Sequence, residues 1–159
     1  MRIVLGLDGS PAGEAAAAWV VRHAVALNPD VTAVTVVPRV DLWELAALQI
    51  NSQERVRAQR RLLDGVWTSR LRAAGCRVST RLLRGDPATE LCDIAEAVNA
   101  DLLVIGAKSH SAVRSLLGGT AHKVANHSRV PLVLVPSPVA PAPMASPDAS
   151  PAAMLRPFL

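Results

Sequence analysis

The sequence is poor in cysteine and in aromatic side chains, two residue classes that often reveal a protein's chemistry. Its two cysteines, Cys76 and Cys92, lie far apart and form no CxxC spacing, so we expect neither a disulfide framework nor a cysteine metal site. One phenylalanine, three tryptophans and no tyrosine leave few rings that could stack on nucleic-acid bases.

The chain is positively charged but has few aromatic residues beside its basic ones. The net charge is +4 and the pI is near 10.0, yet the arginines are distributed along much of the sequence. The densest basic stretch, ERVRAQRRLL, has its arginines at helical spacing around apolar residues, which is typical of the solvent face of an amphipathic helix. We therefore expect no nucleic-acid partner.

Long apolar runs are also missing. No run approaches the roughly 18 residues that a membrane-spanning helix needs. The opening MRIVLGLDGS reaches a glycine and an aspartate too early for the core of a signal peptide. These absences predict a cytosolic protein without a membrane partner, and a length of 159 residues predicts a single domain.

What the sequence does contain is a series of short apolar segments. Five of them are predicted to be strands: residues 2–7, 31–37, 77–83, 102–106 and 131–135. Three are nearly continuous runs of valine, isoleucine and leucine, as expected for parallel strands that helices cover on both faces. The segment 77–83 alternates polar and apolar residues, which predicts a position near a sheet edge.

Helix start signals lie between these strands. Ser10 before Pro11 supplies a capping side chain and a residue whose φ suits the first helical position, and Asp86 before Pro87 repeats the arrangement. Strands that alternate with helices predict an α/β fold: a doubly wound, five-stranded parallel sheet with helices on both faces. The domain is expected over residues 1–136, and the proline-rich residues 137–159 are expected to form a flexible tail.

The segment between the second and third strands is long. Asn51, with Glu54 three residues later, resembles a capping box and predicts one helix to about Ala74 that Gly75 closes. Before it, residues 42–48 are predicted to form a short helix, either a lid over a binding site or an elaborated connection.

The topology indicates where a ligand would bind. In open α/β sheets the binding crevice lies beyond the carboxyl ends of strands at the point where strand order reverses. Asp8 follows the first strand and Gly106 ends the fourth, so both would face one crevice. Gly118, Gly119 and Thr120 could hold a phosphate through backbone N–H groups at a helix start, or could form a simple turn. Neither a P-loop nor a Rossmann fingerprint is present.

Three separated stretches of the chain, taken in their order, resemble one protein family. They are IVLGLDGSPAGEAAAAWVVRHA, GDPATELCDIAEAVNADLLVIGA and LLGGTAHKVANHSRVPLVLVP. Together they closely resemble the universal stress protein family over residues 1–136. The resemblance implies a Rossmann-like sheet with strand order 3-2-1-4-5, a homodimer, and in one branch ATP binding through a G-x2-G-x9-G-[ST] pattern.

The resemblance also implies roles for single residues. Asp8 would lie at the nucleoside end, Val36 would contact the adenine and Gly106 would approach the ribose. The residues expected around the phosphates are Ser109, Gly119, Thr120, Ala121 and His122. Ser109 replaces the second glycine of the pattern, which is expected to weaken binding if that position needs a positive φ.

Two functions follow from this interpretation. The first is a stress-response protein that binds ATP with Mg²⁺ carried by the phosphates, and the second is an interaction module of the same fold with an empty site. An enzyme is not expected beyond a slow ATPase, because Ser10 is accounted for as a helix cap and no nucleophile motif is present. No side-chain metal site is expected. A homodimer would pair the last strand, 131–135, with its two-fold mate.

Overall fold

The structure, a computed structural model, describes residues 1–38, 52–107 and 119–137. Its elements in chain order are β1 (Arg2–Gly6), α1 (Pro11–Leu27), β2 (Asp30–Val37), α2 (Ser52–Asp64), α3 (Val66–Ala73), β3 (Arg77–Arg84), α4 (Pro87–Ala97), β4 (Leu102–Ala107), α5 (Gly119–His127) and β5 (Leu132–Pro136). The strands form one parallel sheet in the order β3-β2-β1-β4-β5. The predicted fold is confirmed, and within these described ranges β3 and β5 are the edges of the sheet.

Two apolar cores lie on the two faces of the sheet. Because successive strand residues point to opposite faces, Ile3 and Leu5 of β1 join the core beneath α1, α2 and α3, whereas Val4 joins the core beneath α4 and α5. Each of these three side chains is at most 1% exposed. The central strands are therefore covered on both faces, as their continuous apolar runs predict.

The predicted helix starts are present. The Ser10 side chain accepts a hydrogen bond from the Gly13 N–H at 3.2 Å, and Pro11 is the first residue of α1. Asp86 caps α4 in the same way, accepting from the Thr89 N–H at 3.2 Å. Both caps place a helix N-terminus directly after the carboxyl end of a strand.

The prediction of one helix from residue 51 to about 74 is wrong, because the chain breaks into α2 and α3 at Gly65. A glycine in a helix interior destabilises the helix by roughly 1 kcal/mol relative to alanine. Breaking the helix at Gly65 therefore costs less free energy than at another residue. Carbonyl groups freed there find side-chain donors: the Thr68 hydroxyl bonds the Leu63 carbonyl at 2.8 Å, and Arg72 bonds the Asp64 carbonyl at 2.7 Å. Gly75 ends α3 with φ +83, as predicted.

Several sequence predictions fall outside the described residues. These are the cap at Asn51, the short helix over 42–48, the site residues Ser109 and Gly118, and all of the tail after residue 137. Within the described ranges, no helix has the length and apolar character that crossing a membrane requires.

Candidate functional site

A crevice opens at the carboxyl ends of β1 and β4, where the strand order reverses. β1 and β4 are paired neighbours, although about a hundred residues separate them in the chain. Three groups of residues line the crevice. The α1 wall comprises Asp8, Ser10, Ala12 and Gly13; the floor comprises Gly6, Leu7, Val34, Val36, Pro87, Leu91, Ile105 and Gly106; the α5 wall comprises Gly119, Thr120 and Ala121.

The floor is apolar and closely packed. A Cβ on Gly6 would lie 3.0 Å from the Ile105 Cγ2 atom and 3.4 Å from the Leu91 methyl groups. Val34 is 1% exposed, and Val36 lies further along the same strand face toward the crevice opening. The floor thus offers a surface suited to a flat apolar group such as an aromatic ring.

Hydrogen bonds between β1 and β2 fix the chain where it enters the crevice. The Leu7 N–H donates to the Val34 carbonyl at 2.8 Å, and the hydroxyl of the buried Thr35 donates to the Leu7 carbonyl at 2.8 Å. With both backbone groups of Leu7 bonded, the residue that follows, Asp8, projects from a rigid support.

Two hydrogen bonds join Asp8 and Ser10. The Asp8 Oδ1 atom accepts from the Ser10 N–H at 3.0 Å and from the Ser10 hydroxyl at 2.5 Å. A Cβ on Gly13 would lie 2.9 Å from the same oxygen, so glycine lets the carboxylate sit over the first turn of α1. Ser10 is therefore a helix cap that the Asp8 carboxylate holds in place.

Two glycines near the α1 wall are required by packing. Gly9 has φ +74, and a Cβ there would lie 2.6 Å from the Trp67 ring. A Cβ on Gly106 would lie 2.1 Å from the Ala12 carbonyl oxygen, closer than any real contact. Gly106 thus lets β4 and the first turn of α1 approach each other, irrespective of any ligand.

The α5 wall is open by comparison. Among the described residues, nothing lies within 4 Å of a Cβ built on Gly119. Gly119 and Thr120 are exposed, whereas Ala121 is only 3% exposed and anchors the helix in the core with Val124. The first turn of α5 therefore presents its backbone N–H groups and the Thr120 hydroxyl to the crevice.

The three helices that begin at the crevice differ in charge. The first turn of α1 holds Glu14 and adjoins Asp8, and that of α4 holds Glu90 and the cap Asp86. The first turn of α5 has no acidic residue. The positive ends of the α1 and α4 dipoles already face carboxylates, so that of α5 is the one left for an external anion.

Asp86 connects two of these helices. The Lys123 ammonium of α5 lies 3.1 Å from Asp86 Oδ2 at the start of α4. The hydrogen bond from Lys123, followed by that from the Thr89 N–H, lowers the pKa of Asp86 below its ordinary value. Asp86 therefore stays ionised near neutral pH and holds Lys123 beside the crevice.

The structure brings most of the predicted site residues together. Those that line the crevice are Asp8, Val36, Gly106, Gly119, Thr120 and Ala121. His122 lies on the exposed surface of α5, where its Nε2 atom is 3.1 Å from the Asn126 side-chain amide, and it is not among the lining residues. Ser109 lies outside the described residues.

Sequence reasoning missed much of the floor. Gly6, Leu91 and Ile105 had been assigned to strands and a helix without a role at the site. The alternation of β2 and β4 could have placed Val34 and Ile105 on one face, but the contribution of Leu91 depends on how α4 packs. In the described ranges, no group of three histidine, cysteine, aspartate or glutamate side chains could hold a metal ion.

Comparison with known proteins gives one family. The profile of the universal stress protein family matches residues 1–136. A universal stress protein of Methanocaldococcus jannaschii is 29% identical over 148 residues, covering 86% of this chain and 82% of the relative. One from Mycobacterium tuberculosis is 29% identical over 150 residues, and this chain spans about half of that protein, 48%.

Solved structures resemble the fold closely. A universal stress protein crystallised in complex with cAMP superimposes with a TM-score of 0.66 at 22% identity, covering 86% of this chain and 97% of that one. The universal stress protein of Archaeoglobus fulgidus in complex with dAMP gives a TM-score of 0.61 at 19% identity, covering 85% and 97%. At these identities the likeness concerns the fold alone.

Proposed function

This chain belongs to the universal stress protein family, and we propose that it binds ATP in the crevice between β1 and β4. The observation that carries the proposal is the difference among the three helix N-termini. Carboxylates already face those of α1 and α4, whereas the first turn of α5 has none, and no other described residue lies within 4 Å of a Cβ built on Gly119. An anionic group in the crevice is stabilised at α5.

The nucleotide fits the crevice in one direction. The adenine ring packs on the apolar floor beside Val36, because that is the apolar part of the crevice. The ribose lies near Asp8, whose Oδ2 atom has no partner among the described residues. The phosphates lie at Gly119 and Thr120, where backbone N–H groups and a hydroxyl donate.

The nucleotide class has support from relatives, and ATP is our finer proposal. Structures of this fold carry cAMP and dAMP in complexes with universal stress proteins. Because the described residues offer no metal site, Mg²⁺ would enter bound to the phosphates of ATP. The bound state would act in a cytosolic stress response as a signalling or protective module, with at most slow hydrolysis.

A different observation favours the second candidate, an interaction module with an empty site. Ser109 stands where the ATP-binding pattern has a glycine, and a serine would strain a backbone that needs positive φ there. The two candidates differ in one measurable property, which is whether the folded protein binds nucleotide at all.

We further propose that residues 1–136 form the folded domain, with the tail as a flexible appendage, and that two copies pair through β5. β5 is an edge strand whose Leu132, Val133 and Leu134 are only partly buried, so a two-fold mate would cover them and bond the open edge. Light scattering after size exclusion should give a dimer. Leu132→Lys should shift it to monomer, whereas Ala125→Lys, an exposed position on α5, should not.

The proposed nucleotide site is tested by calorimetry on purified protein freed of nucleotide. We expect ATP with Mg²⁺ to bind at micromolar to low millimolar concentration, with ADP and AMP weaker because fewer phosphate oxygens reach α5. Gly119→Arg should abolish binding, since the side chain fills the space beside the first turn. The matched control Ala125→Arg adds the same side chain to an exposed position of the same helix.

The outcomes separate the two candidates. Loss of binding in Gly119→Arg alone, with both variants folded by circular dichroism, supports the nucleotide site at α5. No binding to the folded wild-type protein overturns that proposal and leaves the interaction module. Equal binding by wild type and Gly119→Arg means that the nucleotide lies elsewhere.

A further inference from the structure

Although arginines occur along much of the sequence, the net positive charge is concentrated in one segment of the chain. Residues 52–84 hold nine of the 17 basic side chains and two of the 13 acidic ones, so this segment is strongly positive and the remainder is net negative. All nine are arginines, and each is exposed. The segment comprises α2, α3 and β3, which places the charge along one side of the sheet.

Among the described residues β3 pairs only with β2, and arginines flank its other edge on both faces of the sheet. Arg77 and Arg81 share the face of Ser79, whose hydroxyl is 3.3 Å from that of Thr32. On the opposite face, α2 lies over β3, since the Thr80 hydroxyl bonds the Asp64 carboxylate at 2.5 Å.

The α2 side of β3 carries its own arginines. A shallow cleft there is lined by three arginines and one carboxylate of α2, together with Leu82 of β3; the charged residues are Glu54, Arg57, Arg60 and Arg61. Arg84 alternates onto the same face as Leu82 at the end of the strand. An extended chain laid along β3 would therefore meet guanidinium groups on both of its sides.

Few of these charges form ion pairs with other described residues. Arg60 pairs with Asp64, and Arg77 pairs with Asp30. Four others, Arg57, Arg61, Arg81 and Arg84, form no ion pair among the described residues. We call β3, which contains Arg81 and Arg84, together with Arg57 and Arg61 of α2 the basic edge. Its unpaired arginines are available to an anionic partner.

We propose that the basic edge binds an extended acidic segment of a partner protein, which adds to the sheet as a sixth strand beside β3. An edge strand offers a row of backbone donors and acceptors to an incoming chain. Because strand side chains alternate between faces, carboxylates on that segment reach Arg81 on one face and Arg57, Arg61 and Arg84 on the other.

Other occupants fit this edge less well. A second copy would set arginine strands side by side, and like charges across strands are destabilising. The tail of this chain has one acidic residue, Asp148, and frequent prolines that cannot continue a strand ladder. Single-stranded nucleic acid would need exposed rings, but Trp67, the one aromatic residue of the segment, packs against Gly9.

The test uses the full chain and a fluorescein-labelled peptide that is the same length as β3 and has the repeat Glu-Glu-Val-Val, which places glutamates on both faces of a strand. Its binding is measured by fluorescence anisotropy at low salt. We expect saturable binding that weakens as salt rises. Arg81→Glu should weaken it roughly tenfold, since the reversal loses an attraction and adds a repulsion. Arg22→Glu, an equal charge change at an exposed position of α1, is the matched control. Arg57→Glu repeats the test from α2 if the β3 variant does not fold.

Two further probes separate strand addition from simple charge attraction. The same peptide with every backbone nitrogen methylated keeps its carboxylates but has no N–H donor on either edge, so it should not bind. Equal binding of the methylated peptide, or an equal loss in Arg22→Glu, overturns the proposal. Tighter binding of an oligothymidylate of similar length also overturns it, in favour of a nucleic-acid partner.

Discussion

The two walls of the crevice differ in whether their polar groups already have partners within the protein. On the α1 wall, Asp8, Ser10 and Gly13 bond one another, and Gly106 is pressed against Ala12. The α5 wall has exposed donors and no acidic residue in its first turn, and no described residue lies within 4 Å of a Cβ built on Gly119. The difference teaches that glycines in one motif need not serve one purpose: Gly106 is required by packing, and Gly119 is not.

The largest expected effect comes from Gly106→Ala on the packed side. A Cβ 2.1 Å from the Ala12 carbonyl oxygen forces β4 and α1 apart. We expect a loss of about 3 kcal/mol or more in the free energy of unfolding, at the upper end of overpacking effects. Urea denaturation measures it, with Gly119→Ala as the control expected to stay within about 0.5 kcal/mol. Equal stability of the two variants would show that the walls do not differ.

Thr120→Val should leave the stability of the protein unchanged and weaken ATP binding. It removes the hydroxyl of the α5 wall, which is exposed and makes no hydrogen bond among the described residues, so stability should hold. If phosphates bind there, ATP affinity should fall roughly tenfold, equivalent to about 1.4 kcal/mol. Calorimetry with ATP and AMP checks this, since the loss should be larger for ATP. A variant that binds as tightly as wild type would remove Thr120 from the phosphate site.

Ser10→Ala tests the cap of the α1 wall. The variant loses the acceptor for the Gly13 N–H and the donor to Asp8, so the free energy of unfolding should fall by about 1 kcal/mol. Ser10→Asn should retain most of the stability, because asparagine is also a good cap. Thermal unfolding of the three proteins compares them. If alanine and asparagine are equally destabilising, the contribution is not capping.

The smallest effect concerns the pH dependence of Asp86. Its pKa is lowered in the folded protein by Lys123 and the Thr89 N–H, so its ionised form stabilises the fold above the ordinary pKa near 3.8. That contribution is lost as pH falls through the lowered folded value. The stability advantage of wild type over Asp86→Asn should therefore be constant from about pH 5 to 7, begin to fall below about pH 4, and disappear once the pH is below the lowered pKa of Asp86 in the folded protein. Thermal unfolding across this range detects it, and an advantage that persists at low pH would contradict the ion pair.

Much of the fold could be predicted because its signals are local. Apolar runs marked the strands to within about a residue, and the pairs Ser10 with Pro11 and Asp86 with Pro87 marked two helix starts. The break at Gly65 was missed because helical periodicity continues across it. The break depends on side chains such as Thr68 and Arg72 bonding the freed carbonyls.

The site, too, was predicted only in part, because some of its features depend on contacts between distant parts of the chain. Family resemblance pointed to Gly106 and Gly119, but it assigned both to a ligand. Only the packed structure separates them, because a Cβ clash depends on which helix lies opposite the strand. The floor residue Leu91 could not be assigned without knowing that α4 covers the ends of β1 and β4.

The sequence by itself determined the alternation of strands and helices, the caps that start α1 and α4, and the uneven distribution of charge, since each depends on neighbours in the chain. The tertiary structure alone decided that β1 lies beside β4, that three helix N-termini meet at one crevice, and that β3 exposes its arginines at an edge. These arrangements join residues far apart in sequence, and they follow from burying two apolar cores on opposite faces of one sheet.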